Sequence, residues 1–96
     1  MATYIMLMNW TGQGIRNVSG WFGRVTDARR RIESADGRLE VTYVTTGAYD
    51  AVAVLSGVED TAMAKLAMGM GQRDNVRTTT LRAFNEQEAV QLVQGL

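Results

Sequence analysis

Cysteine, histidine and proline are all absent from the 96 residues, and Lys65 is the one lysine among ten basic residues. Each absence removes a class of function. Without cysteine there is no disulfide framework, no thiolate nucleophile and no soft metal ligand. Without histidine the usual neutral-pH base is missing, which leaves Ser, Thr, Tyr, Asp, Glu and Lys65 to carry any chemistry. The acidic residues are dispersed along the chain, so a carboxylate cluster for a hard cation is not expected, and neither a metal nor a cofactor is called for. Ten basic and ten acidic residues balance to a formal net charge of +0. No summed field therefore draws the chain to nucleic acid or to an anionic membrane. No stretch approaches the roughly 20 apolar residues of a membrane span, and residues 1–4 lack a basic segment leading into an apolar one. A soluble cytoplasmic protein is the expectation.

Apolar residues dominate what is present. They make up 46% of the chain against 21% charged, a globular composition. A single domain over residues 1–96 is expected, and a chain this short buries only about 60 to 65% of its unfolded surface. That is more apolar surface than a small monomer easily hides, so a homo-oligomer is expected.

Residues 4–10 are apolar on both alternating sets apart from Asn9, the pattern of a strand covered on both faces. Thr11-Gly12-Gln13-Gly14 breaks the run, and Ser19 stands as N-cap of a helix reaching about Ala35, with Val25, Ala28, Ile32 and Ala35 at helical spacing. Asp27 with Arg31 and Arg29 with Glu33 fall four apart as exposed pairs. Asp36-Gly37 ends this helix, with Gly37 suited to the left-handed position. Residues 39–46 and 49–55 read as strands separated by two residues, hence a tight hairpin with positive φ at Gly47. Glu59-Asp60 open a second helix whose apolar stripe is Met63, Leu66, Ala67 and Met70. Residues 76–83 form a fourth β-branched strand. Asn85 and Glu88 then spell a capping box, with Phe84 placed as a staple onto Ala89, before a short final helix.

The order predicts an α+β fold: a split βαββαβ unit with a short C-terminal helix, a four-stranded antiparallel sheet and both long helices on one face. The other face stays open, and two such sheets packed together would bury it. Met1-Ala2-Thr3-Tyr4, Gly47-Ala48-Tyr49-Asp50 and residues 75–84 together resemble the GYD domain family of small bacterial proteins. Its name-giving residues would be Gly47, Tyr49 and Asp50. The resemblance implies a ferredoxin-like fold of the dimeric α/β-barrel type, and no established biochemical role comes with it. Residues 19–24 are more aromatic and glycine-rich than that family leads one to expect.

Tyr49 and Asp50 could present a phenol and a carboxylate to a cleft between sheet and helices. The favoured alternative has Asp50 accepting hydrogen bonds near the hairpin while Tyr49 packs. Arg77 or Arg82 could reach the Asp50 carboxylate. Asn9, Trp10, Trp21, Tyr49, Asp50 and Arg82 are the candidate ligand-binding residues, and no residue is assigned a catalytic role. The Arg29-Arg30-Arg31 run reads as a solvated helix face, and Gly12-x-Gly14 lacks the third glycine and the lysine of a phosphate loop. Met63, Met68 and Met70 read as core or interface. Two functions follow: a homo-oligomeric, non-catalytic module binding a small apolar molecule or a partner, or a cofactor-independent isomerase or oxygenase of a small apolar carbonyl compound. The second would use Asp50 as base, Tyr49 or Asn9 as oxyanion donor, and Trp10 and Trp21 as walls.

Overall fold

The structure is a computed structural model, and it describes residues 2–96. Strand β1 (Thr3–Trp10) runs through the middle of the sheet, where Tyr4, Met6 and Met8 are buried on one parity and Ile5 and Leu7 half-buried on the other. It is followed by α1 (Gly12–Arg16), a 3-10 turn (Val18–Gly20) and α2 (Trp21–Ser34). Strands β2 (Arg38–Val44) and β3 (Ala51–Ser56) come next, then α3 (Asp60–Arg73), β4 (Val76–Ala83) and α4 (Glu86–Val93). The strands lie in the order β2-β3-β1-β4, with every neighbouring pair antiparallel. This is the ferredoxin-like arrangement expected, with a C-terminal helix added.

The core lies between the sheet and its helices. Tyr4, Met6 and Met8 of β1 and Ala51, Ala53 and Leu55 of β3 face Ile32 of α2 and Met63 of α3, with Leu66, Ala67 and Met70 packed alongside. On the opposite face the register sets Ile5 between Val54 and Leu81, and Leu7 beside Val52, while Val41 and Tyr43 of β2 continue the row. Tyr43 is 60% exposed there and Leu81 44%. The helix face is thus the parity of Tyr4 and Leu55, and the other parity is apolar without being core.

Several local expectations are corrected. Ser19 caps nothing: α2 starts from Gly20 with no side-chain cap, inside the 3-10 turn. The actual cap is Thr11, whose hydroxyl accepts from the Gly14 N–H, so the presumed breaker 11–14 is itself the start of a helical turn. At the end of α2 it is Asp36 that takes the left-handed conformation, with φ 63. Gly37 is needed for space instead, because a Cβ there would run into Val58 Cγ2 and sit 3.1 Å from Ile32 Cγ2. Asp27 pairs with Arg30 at 3.6 Å, one turn at spacing three, rather than with Arg31.

The tight hairpin is also replaced. The ladder closes at Val44 and Ala51, leaving residues 45–50 as a loop in which Gly47 does adopt a positive φ of 110. Within it the Thr45 N–H donates to the Asp50 carbonyl at 2.8 Å and the Thr45 hydroxyl to the Tyr49 carbonyl at 2.6 Å. The capping box before α4 is formed in both directions, with Glu88 N–H on Asn85 Oδ1 at 2.8 Å and Asn85 N–H on Glu88 Oε1 at 3.0 Å.

Candidate functional site

Residues of one strand point their backbone groups alternately to the two neighbours. The Met8 carbonyl accepts from the Asp50 N–H at 2.9 Å, so Trp10, two residues on, also turns its N–H towards β3. By then β3 has not begun, and the acceptor is a side chain: Asp50 Oδ2 takes the Trp10 N–H at 2.9 Å. Asn9 Nδ2 holds the same loop from the open face by donating to the Ala48 carbonyl at 2.9 Å. Tyr49 is 38% exposed. Asn9, Trp10, Tyr49 and Asp50 therefore meet at one end of the sheet, where the two polar side chains hold the loop against β1.

Trp10 ends β1 on the helix side, and Trp21 begins α2. Their rings stand edge to face, 85° apart in plane with centroids 6.0 Å apart, a geometry favoured by the aromatic quadrupole. One turn along α2, the Arg24 guanidinium lies 5.9 Å from the Trp21 ring centroid, and its Nη1 donates to the Asn17 carbonyl at 3.0 Å. The other donors of Arg24, Nε and Nη2, are buried without a partner, and so is Nε1 of Trp10. More than about 90% of buried polar groups in folded proteins are paired. The unpaired donors Trp10 Nε1, Arg24 Nε and Arg24 Nη2 are exceptions to that rule.

Two concavities meet there, sharing Trp21, Arg24 and Met70. The inner one is a narrow slot of ≈ 40 Å³ between sheet and helices, walled by Met6, Met8, Val25, Leu66 and Met70. The outer is a bowl of ≈ 260 Å³ that adds Asp27, Arg31, Arg73 and Asn75. Sequence reasoning named Trp10 and Trp21 and missed Arg24; Trp21 lines both concavities, and Trp10 lines neither but packs edge-on against Trp21. The signal available was its spacing of three from Trp21, which puts both on one helix face.

Arg82, the remaining candidate, lies at the other end of the sheet. It pairs in register with Tyr4, six residues along β1 from Trp10 and about 20 Å away at strand rise. The contact that Arg82 could have made with Asp50 is thereby excluded, and Asp50 accepts a hydrogen bond beside the loop as the favoured alternative had it. Arg77 does not take its place, since the ion pairs among the described residues are Asp27–Arg30 and Arg38–Glu40. Arg82 instead stacks 4.4 Å from the Phe84 ring centroid and 5.8 Å from that of Tyr4, with Nη1 directed to the Ala83 carbonyl. It rims a shallow bowl of ≈ 460 Å³ with Tyr4, Asp60, Met63, Ala67 and Thr80.

In that bowl the Tyr4 hydroxyl donates to Asp60 Oδ1. This hydrogen bond raises the Tyr4 pKa above 10.0, helped by desolvation and by the Asp60 charge, and opposed by Arg82. The folded protein thus keeps the phenol proton to higher pH than the unfolded chain does. The bond's stabilisation is complete below about pH 10 and disappears as pH rises through the folded-state value. Tyr4→Phe should therefore lower the melting temperature at neutral pH and flatten its decline above pH 10, as read from thermal melts across an alkaline series. An equally steep decline in the variant would remove this role for Tyr4.

Among the described residues no group of three or more Asp or Glu side chains is placed to hold a metal ion. No helix there is long and apolar enough to cross a membrane.

A four-stranded antiparallel sheet with its long helices on one face, its apolar reverse side and a cleft at the end of β1 define a ferredoxin-like α+β domain. The sequence matches the GYD domain over residues 4–93, and the chain belongs to that family. It is similar to the crystal structure of TTHA0845 from Thermus thermophilus, with 25% sequence identity, a TM-score of 0.54, and coverage of 88% of this chain and 95% of that one. No curated protein matches it.

Proposed function

We propose that this chain is a homodimeric, non-catalytic module that binds a small, largely apolar molecule in the cleft between sheet and helices. One observation carries the binding role: apolar walls converge on Arg24, two of whose donors are buried without an acceptor among the described residues. The absence of a free base beside that corner argues against turnover. Asp50, the base that a cofactor-independent isomerase or oxygenase would require, uses a carboxylate oxygen to cap the Trp10 N–H. Asp27, at the rim of the bowl, lies beside Arg30. A screen of small apolar compounds read by thermal shift tests the binding role, since a ligand specific for the folded state raises the melting temperature by mass action. A library that shifts neither the parent nor Asp50→Asn would count against it.

Surface area supports the dimer. The chain exposes 6446 Å², where a compact monomer of 10.6 kDa is expected to expose about 5,500 Å². The excess is close to the roughly 800 Å² that each partner contributes to a stable interface. The Ile5, Leu7, Val41, Val52, Val54 and Leu81 face supplies an apolar patch, which a second copy of itself would fit. Val54, in register with both Ile5 and Val41, sits inside that patch. Light scattering should give a dimer at micromolar concentration. Val54→Lys should raise its dissociation constant at least about 100-fold, because an unpaired charge would be buried twice, while circular dichroism stays native. A parent that runs as a monomer would contradict the assembly.

A further inference from the structure

We propose that the ligand of this cleft is a small monocarboxylic acid with an apolar tail, held by its carboxylate on the Nε–Nη2 edge of Arg24. This rests on the small-molecule reading above and specifies its chemistry. A guanidinium presents Nε–H and Nη2–H side by side, parallel and spaced to meet the two oxygens of one carboxylate. In Arg24 these are the two unpartnered donors, both buried. The third nitrogen, Nη1, is fixed on the Asn17 carbonyl, and the plane lies near the Trp21 ring, so the free edge is held in place before any ligand arrives. Binding then costs little ordering of the side chain.

The surroundings favour an anion with an apolar body. Arg31 and Arg73 line the bowl, and its one acidic side chain, Asp27, lies 3.6 Å from Arg30. Behind Arg24 the slot is walled by methionine and aliphatic side chains, and its ≈ 40 Å³ admits a short chain rather than a large ring system. Methionine walls adapt to such tails. A phosphate is the poorer fit, because with its charged oxygens turned to the outer bowl it would leave the apolar slot behind Arg24 unfilled. The indole Nε1 of Trp10 is the third buried donor of the corner and has no acceptor among the described residues.

The chain contains two tryptophans, Trp10 and Trp21, and both form this corner. Intrinsic fluorescence therefore reports directly on it. Titration with hexanoate should change the fluorescence saturably and raise the melting temperature, while hexanol and inorganic phosphate bind at least about tenfold more weakly. Arg24→Gln should weaken hexanoate at least about tenfold and hexanol by much less. Arg24→Lys, which keeps the charge and loses the fork, should weaken it similarly. Native circular dichroism and retained hexanol binding would establish that both variants keep the folded cleft. Hexanol binding as tightly as hexanoate would overturn the carboxylate site and leave the small-molecule reading standing. Phosphate binding as tightly as hexanoate would overturn the need for an apolar tail and with it this ligand class. Failure of hexanoate, hexanol and phosphate alike, with hits elsewhere in the thermal-shift screen, would reject the proposed ligand alone, and no hits at all would reject both.

Discussion

Gly14→Ala should destabilise the protein by at least about 3 kcal/mol, among the largest effects of any single methyl group in this chain. Gly14 is buried in α1, and a Cβ there would overlap the Asn75 carbonyl oxygen, lying 2.8 Å from the carbonyl carbon and 3.2 Å from Asn75 Cα. These atoms are backbone, so no rotamer relieves the clash. Moving the two segments apart would break the bonds that join them. The Thr11 N–H donates to that same Asn75 carbonyl at 3.1 Å, and Gln13 Nε2 donates to the Arg73 carbonyl at 3.0 Å and to Asn75 Oδ1 at 3.1 Å. The effect should reach the cleft as well, because α1 leads into Asn17, whose carbonyl holds Arg24. Gly23→Ala is the matched control: it lies in α2 with nothing within 4 Å of the added methyl, and should stabilise by about 0.5 to 1 kcal/mol through helix propensity. Urea denaturation of the two variants compares them directly. Equal and small effects would mean that α1 does not lie against Asn75.

The same contact explains which parts of the fold were legible in the sequence. Strand β1, the stripe of α3 and the Asn85–Glu88 box are local patterns, readable because alternation, helical spacing and capping chemistry act within a few residues. Helix α1 was not readable, because Thr11-Gly12-Gln13-Gly14 has the composition of a breaker and is held by partners about sixty residues away. The loop 45–50 was misread for a related reason. Tyr49 has the propensity of a strand residue, yet Asp50 meets Trp10 with its carboxylate where a strand would have offered a carbonyl.

At the site, Trp10 and Trp21 could be suspected as aromatic residues beside glycine-containing loops, and they do meet. Whether Arg82 could reach Asp50 depends on the register of β1 against β4, which pairs Arg82 with Tyr4. Composition does not encode that register, and pairing between distant strands has no local signature. Arg24 stood unremarked in residues 19–24, since its spacing of three from Trp21 does not by itself distinguish a buried arginine edge from a solvated one. Its significance arises only when the sheet closes over it.

Leu55→Ala should cost about 2 to 5 kcal/mol, a large share of the stability available to a domain of this size. Leu55 is 1% exposed in β3, opposite Tyr4 on one side and Leu39 on the other, and truncation leaves a void that those strands cannot fill by collapsing. Leu55 also lines the inner slot together with Met6, Ile32 and Leu39. The void would therefore open into the slot behind Arg24, and stability and ligand preference should change together. In the parent, affinity along a series of straight-chain carboxylates should peak at a short tail. In Leu55→Ala the peak should move to a tail longer by about two carbons, because the added methylenes replace the deleted ones at about 0.8 kcal/mol each. The longer acid should also recover part of the lost melting temperature. A variant that is destabilised but keeps the parent's chain-length preference would place the tail outside the slot, with the carboxylate on Arg24 and the body in the outer bowl. A shift in the peak with the Arg24 dependence intact would tie the core of the sheet to the specificity of the cleft.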